Sequence, residues 1–62
     1  MEATWQEFGT TWLTHTEKYD IEVWKAQDHF HWTISYHSGE YVFAGKASTL
    51  TIAQRDALHQ AR

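Results

Sequence analysis

A chain of 62 residues carrying a formal net charge of −3 has room for one domain and one small hydrophobic core. It contains no cysteine, so neither disulfides nor a cysteine-ligated zinc can brace that core. The bracing falls to four Trp, three Tyr and three Phe, each able to bury about 150–250 Å², or to self-association.

The charge is unevenly placed. Glu2, Glu7, Glu17, Asp20 and Glu22 crowd the first 24 residues against Lys18, while Lys46, Arg55 and Arg62 outnumber Asp56 near the end. That balance excludes the dense basic face of a general nucleic-acid binder. No apolar run reaches the ~20 residues of a membrane span. The start, Met1-Glu2-Ala3-Thr4, lacks the basic and apolar stretches of a secretory signal. The expectation is a cytoplasmic protein with no membrane contact.

Along the chain, Trp5, Phe8 and Trp12 recur at spacings of three and four behind a capping Thr4, which predicts a short helical turn over about residues 2–8. Gly9 and the run Thr10-Thr11-Trp12-Leu13-Thr14 then favour an extended segment from about Thr11. Tyr19–Ala26 alternates, with Tyr19, Ile21 and Val23 on one face and Asp20, Glu22, Trp24 and Ala26 on the other. A turn around Asp28-His29 puts Ile21 and Val23 on the face of Ile34. Phe30, Trp32, Ile34 and Tyr36 alternate with His31, Thr33, Ser35 and His37, the mark of a half-buried strand. Ser38-Gly39 reads as a two-residue hairpin loop, because glycine accepts positive φ. His37 then pairs with Glu40, Tyr36 with Tyr41, Ile34 with Phe43, Trp32 with Gly45 and Phe30 with Ala47. Ser48 or Thr49 caps a helix whose stripe is Leu50, Ala53, Ala57 and Ala61, with Leu58 beside it. Ile52 projects from the opposite side with Arg55 and His59.

These elements predict an α+β fold occupying residues 1–62 as a single domain. Its antiparallel sheet has three or four strands, with the C-terminal helix packed on one face and a short helix at the N-terminus. Phe30, Trp32, Ile34, Tyr41 and Phe43 are expected beneath Leu50, Ala53 and Ala57.

Five histidines invite a metal reading. His31 and His37 stand six apart in one strand, about 20 Å at ~3.3 Å per residue, and cannot share an ion within one chain. His29 and His31 point the same way if both lie in a strand, yet a closed zinc site needs further ligands, from another subunit for instance. The expectation is no metal site, and imidazoles that are solvated or hydrogen-bonded. Ser35 and His37, with Asp20 or Glu22 on the next strand, assemble a Ser-His-acid set on paper. A flat face in so short a chain offers neither oxyanion hole nor pocket. There is no Gly-rich phosphate loop. No enzyme activity and no cofactor are expected.

The sheet face turned away from the helix gathers Glu22, Trp24, Thr33, Ser35, Val42 and Ala44. Two outcomes are open for it. Trp5, Phe8, Trp12 or Leu13 folds back to cover Trp24, or the face is a partner- or dimer-binding surface with an aromatic centre and a charged rim. The Tyr19–Ala26 strand is taken as the sheet edge, blunted by Asp20, Glu22 and Lys25.

Trp32, Gly39, Gly45-Lys46-Ala47, Ser48-Thr49, Ala53, Ala57 and Ala61 together resemble a strand–turn–strand–helix pattern found in small uncharacterised bacterial and phage proteins. The order helix–three strands–helix is also similar to the double-stranded-RNA-binding domain, with Gly45 through Ala61 matching its strand end and alanine-rich second helix. That family places a lysine cluster at the start of this helix to meet phosphates. Here the positions hold Ser48, Thr49, Leu50 and Thr51. The functional expectation is therefore a non-enzymatic protein–protein interaction module, an accessory or inhibitor protein of a bacterium or phage that forms a homodimer. A weak nucleic-acid-binding domain is the alternative.

Overall fold

A computed structural model describes residues 4–62 of the chain. Five strands and one helix follow in order: β1 (Gln6–Phe8), β2 (Thr11–His15), β3 (Tyr19–Ala26), β4 (His29–Tyr36), β5 (Tyr41–Ala47) and α1 (Leu50–Gln60). Each strand pairs antiparallel with its chain neighbour, so spatial order equals chain order. The fold is α+β, an open meander with one helix, and its sheet has five strands rather than three or four.

The extra strands come from the N-terminal segment. Gly9 takes φ +63° and opens a two-residue loop that pairs Phe8 with Thr11. Of the segment read as a helical turn, residues 6–8 are strand, and residues 2 and 3 lie outside the described part. The helical spacing misleads because Phe8 and Trp12 face opposite ways: Phe8 stands in register with Thr11, Trp12 with Glu7. The β1–β2 hairpin then pairs with β3, from Thr11 opposite Trp24 to His15 opposite Asp20. β3 is thus the central strand, and the edges are the three-residue β1 and β5.

Between β3 and β4 the loop is Gln27-Asp28, closed by the Ala26–His29 pair. Gln27 adopts φ 52°, the left-handed region a two-residue hairpin requires. Ile21 and Val23 do face Ile34's side, as opposite partners of Ile34 and Trp32.

The β4–β5 hairpin keeps the expected pairs Ile34–Phe43, Trp32–Gly45 and Phe30–Ala47. Its turn differs. The Gly39 N–H donates to the Tyr36 carbonyl at 2.8 Å, and the Tyr36 N–H donates to the Glu40 carbonyl at 2.9 Å. The loop therefore has three residues, with Gly39 at φ +99° as its bulge residue. The register is one residue out at this end, so Tyr41 stands opposite Ser35 rather than Tyr36. A second irregularity between Ile34 and Ser35 restores it. A shift of one residue moves a side chain to the other face, so Tyr41 leaves the helix side and is 75% exposed. Phe43 keeps its partner but lies on an edge strand and remains 45% exposed. Neither is part of the core.

The core consists of Ile21, Val23, Trp32, Ile34, Ala53, Ala57 and Ala61. The helix packs on β3, β4 and β5, and its alanines let it approach closely. The Thr49 side chain caps it, its Oγ1 accepting from the Ile52 N–H at 3.2 Å. Ile52 is half-buried rather than fully projecting. The Trp32 ring lies over Gly45: a β-carbon there would come within 2.6 Å of Cε2 and 2.9 Å of Nε1. Trp5 and Trp12 flank the same core, with Trp12 and Phe30 rings 5.9 Å apart. Three of the four tryptophans thus serve the helix-side layer, and Trp24 alone turns to the other face.

Candidate functional site

The register of five strands arranges the open face in rows running across the sheet. One row is Phe8, Thr11, Trp24, His31 and Lys46. The next is Gln6, Leu13, Glu22, Thr33 and Ala44. A third is His15, Asp20, Ser35 and Tyr41, with Val42 in phase with Ala44. All six residues singled out from the sequence, Glu22, Trp24, Thr33, Ser35, Val42 and Ala44, therefore share this face. None of the described elements packs over it. The N-terminal segment extends the sheet instead of folding back, and Trp5 and Trp12 pack against the helix-side core.

Phe8 and Leu13, weighed from the sequence as covers for Trp24, stand in the face beside it instead, and Tyr41, expected beneath the helix, joins them. The signals were present: Gly9 in a Gly-Thr loop for the first two, and Gly39 as the third residue of a loop for Tyr41. The face is curved by the twist of the sheet rather than flat. A concavity of about 590 Å³ is lined by Leu13, His15, Asp20, Glu22 and Ser35 among others, and it opens to solvent.

At one end of the face, Trp24 and His31 are cross-strand partners whose rings stack at 5.3 Å and 21°. His29 precedes His31 by two residues, and its Nε2 lies 2.9 Å from the Nε2 of His31. The His29 Nδ1 sits 2.9 Å from the Asp28 carboxylate. A carboxylate only accepts, so Nδ1–H of His29 donates to Asp28, and in the neutral imidazole its Nε2 then accepts from Nε2–H of His31. The hydrogen bond from His29 holds the Asp28 carboxyl below its ordinary range.

At the opposite end, His37 lies in the turn and not in a strand opposite Glu40. Its Nε2 is 3.1 Å from the Glu17 carbonyl and its Nδ1 is 3.0 Å from the Asp20 carboxylate. Both partners are acceptors, so both ring nitrogens must donate and the imidazolium is favoured. The Glu17 carbonyl first, then the Asp20 carboxylate, raises the His37 pKa above its ordinary value. Ser35 is the cross-strand partner of Asp20. The Ser-His-acid set is thus brought near but not wired as a triad, because neither nitrogen of His37 is left to take a proton from a hydroxyl. Among the described residues, no cluster of three or more His, Asp or Glu is arranged to hold a metal ion.

Fold and face together define a small α+β protein with one covered and one uncovered sheet face. No protein-family model matches the chain, nor does any curated protein or solved structure. Among the described residues, no helix is long and apolar enough to cross a membrane.

Proposed function

We propose that this protein is a non-enzymatic protein-binding module that works through its open sheet face, and that its first partner is a second copy of itself. The observation that carries the reading is the uncovered face, where Leu13, Trp24, Val42 and Ala44 lie among Thr33 and Ser35. Aromatic and aliphatic side chains with small polar ones between them make up an interface core, and Glu22, exposed on the central strand, is the charge such a contact must accommodate. The face carries both signs, Asp20 and Glu22 on β3 and Lys46 on β5, so two copies do not repel each other through it. A two-fold axis lets each copy cover the other's Trp24. Such a module fits a small accessory or inhibitor protein of a bacterium or phage, since occupying a surface needs no catalytic group.

Sedimentation at several concentrations tests the reading. A dimer is expected for the wild type, and a monomer with intact circular dichroism for Trp24→Glu. A wild type that stays monomeric up to high micromolar concentration would refute it.

A further inference from the structure

We propose that His29 and His31 form a two-imidazole chelate for a tetragonal divalent transition ion, with copper(II) as the preferred occupant. The site borders the proposed contact, since His31 stacks on Trp24, but it rests on side-chain placement at the β3–β4 hairpin and not on that reading.

Three observations converge. First, both histidines lie in β4 on the open face, two residues apart, with their Nε2 atoms 2.9 Å from each other. Two nitrogens in adjacent positions of a square plane, each about 2.0 Å from the ion, stand about 2.8 Å apart. Tetrahedral ligands stand about 3.3 Å apart at the same bond length. The spacing fits the square-planar or tetragonal geometry that copper(II) and nickel(II) prefer. Second, His29 already carries the outer partner that metal-bound histidines have, an Nδ1–H donated to the Asp28 carboxylate at 2.9 Å. In the neutral imidazole that bond places the one proton on Nδ1 and leaves Nε2 of His29 free, as a ligand must be. Third, the His31 ring is held by stacking on Trp24 at 5.3 Å, so both rings are ordered before an ion arrives.

On binding, the ion takes the place of the proton shared between the two Nε2 atoms. His31 moves that proton to its Nδ1, and a small ring rotation turns both lone pairs toward one point. No net proton is released from a neutral pair. With no third His, Asp or Glu positioned among the described residues, water fills the remaining positions. Lys46 stands opposite His31 and its charge opposes a cation here. It is exposed, and its long stem lets the ammonium turn to water.

The test is titration of the full chain with CuCl2 against glycine as competing chelator, read by calorimetry, tryptophan emission and electron paramagnetic resonance. One ion per chain is expected, with two nitrogens in its equatorial plane. His29→Gln and His31→Gln each weaken binding at least ten-fold, and Asp28→Asn weakens it about ten-fold by freeing the His29 ring. His15→Gln and His59→Gln leave affinity unchanged. Trp24→Phe removes most of the emission quenching while calorimetry still reports the ion. Circular dichroism confirms that each variant is folded. ZnCl2 binds at least ten-fold more weakly. Copper affinity equal in wild type and in the double His29→Gln, His31→Gln variant would overturn the site, as would a wild type that binds no copper. Equal affinity for zinc would overturn the tetragonal geometry.

Discussion

The deepest side chains of this molecule are medium-sized aliphatics, not its large aromatics. Ile34 and Val23 are fully buried and Ile21 nearly so, while Phe43, in register with Ile34, is 45% exposed. The difference is position in the sheet. β4 has neighbours on both sides and the helix above; β5 has a neighbour on one side only. Ile34→Ala is therefore expected to cost about 2–5 kcal/mol, through lost transfer energy and the cavity left behind. Phe43→Ala is expected to cost about 1 kcal/mol, because roughly half of its ring stays wet in the folded state. Urea denaturation of the two variants side by side checks this. Equal losses would mean that β5 is covered in solution by something other than the helix. Trp32 adds a second contrast. Its ring needs the space over Gly45, yet its buried Nε1 has no hydrogen-bond partner among the described residues. A buried N–H left unpaired costs about 1–3 kcal/mol, so Trp32→Phe is partly compensated and costs less than its lost volume alone implies.

Elements are held at their ends, and there the sequence reading both succeeds and fails for physical reasons. The helix was legible because its stripe and its cap agree: Leu50, Ala53 and Ala57 face the sheet, and Thr49 closes the first turn. Of the two capping residues weighed, Thr49 makes the bond to Ile52. Thr49→Ala is expected to cost about 1 kcal/mol, or about 4–8 °C in Tm for a domain of this size. Ser48→Ala should leave Tm within experimental error, and thermal melts of the pair test the assignment. The alternation of β3 and β4 was equally legible, since one buried face fixes the register. Loops were not. Gly39 can close a two- or a three-residue loop, and only the backbone bonds Gly39–Tyr36 and Tyr36–Glu40 decide between them. That one residue moved Tyr41 to the open face. At Gly9 the apolar spacing of Trp5, Phe8 and Trp12 imitated a helix, although the three rings serve two faces of a hairpin. The same turns carry a pH-dependent tie. His37 joins the β4–β5 loop to Glu17 and Asp20 at the β2–β3 end, and His15 stands opposite Asp20. The folded pKa of His37 is raised, so the tie is complete below the unfolded value near 6.5 and is lost as pH rises through the folded value. The stability difference between wild type and His37→Gln should be larger at about pH 5.5 than at about pH 9, in a series run at constant ionic strength. A difference independent of pH would show that His37 contributes packing only.

The described residues form a two-layer domain that leaves the second side of its sheet unused, and the charge of the chain narrows what can lie there. With a net charge of −3 and Lys46 the one basic side chain among the strand residues of that face, few phosphates can be neutralised. Duplex RNA or DNA is expected to bind weakly and to dissociate at about 0.15 M salt, where each lost counterion contact counts. A salt titration by fluorescence anisotropy checks it, and a sub-micromolar complex at that salt would contradict the protein-binding reading. The other consequence concerns stability. Sixty-two residues without a disulfide bury a modest core of seven residues, three of them alanine. If the open face pairs with a second copy, unfolding is coupled to dissociation and Tm depends on concentration. A hundredfold rise in concentration then adds about 2.7 kcal/mol per dimer, and at about 2 cal/mol/K per residue this lifts Tm by roughly 10 °C. Trp24→Glu replaces the largest apolar side chain of the contact by a second carboxylate beside Glu22, and two like charges with no partner oppose its burial. The variant should melt at one temperature over the whole range, near the value wild type reaches at high dilution. A wild type whose Tm is equally indifferent to concentration would refute pairing of two copies through this face.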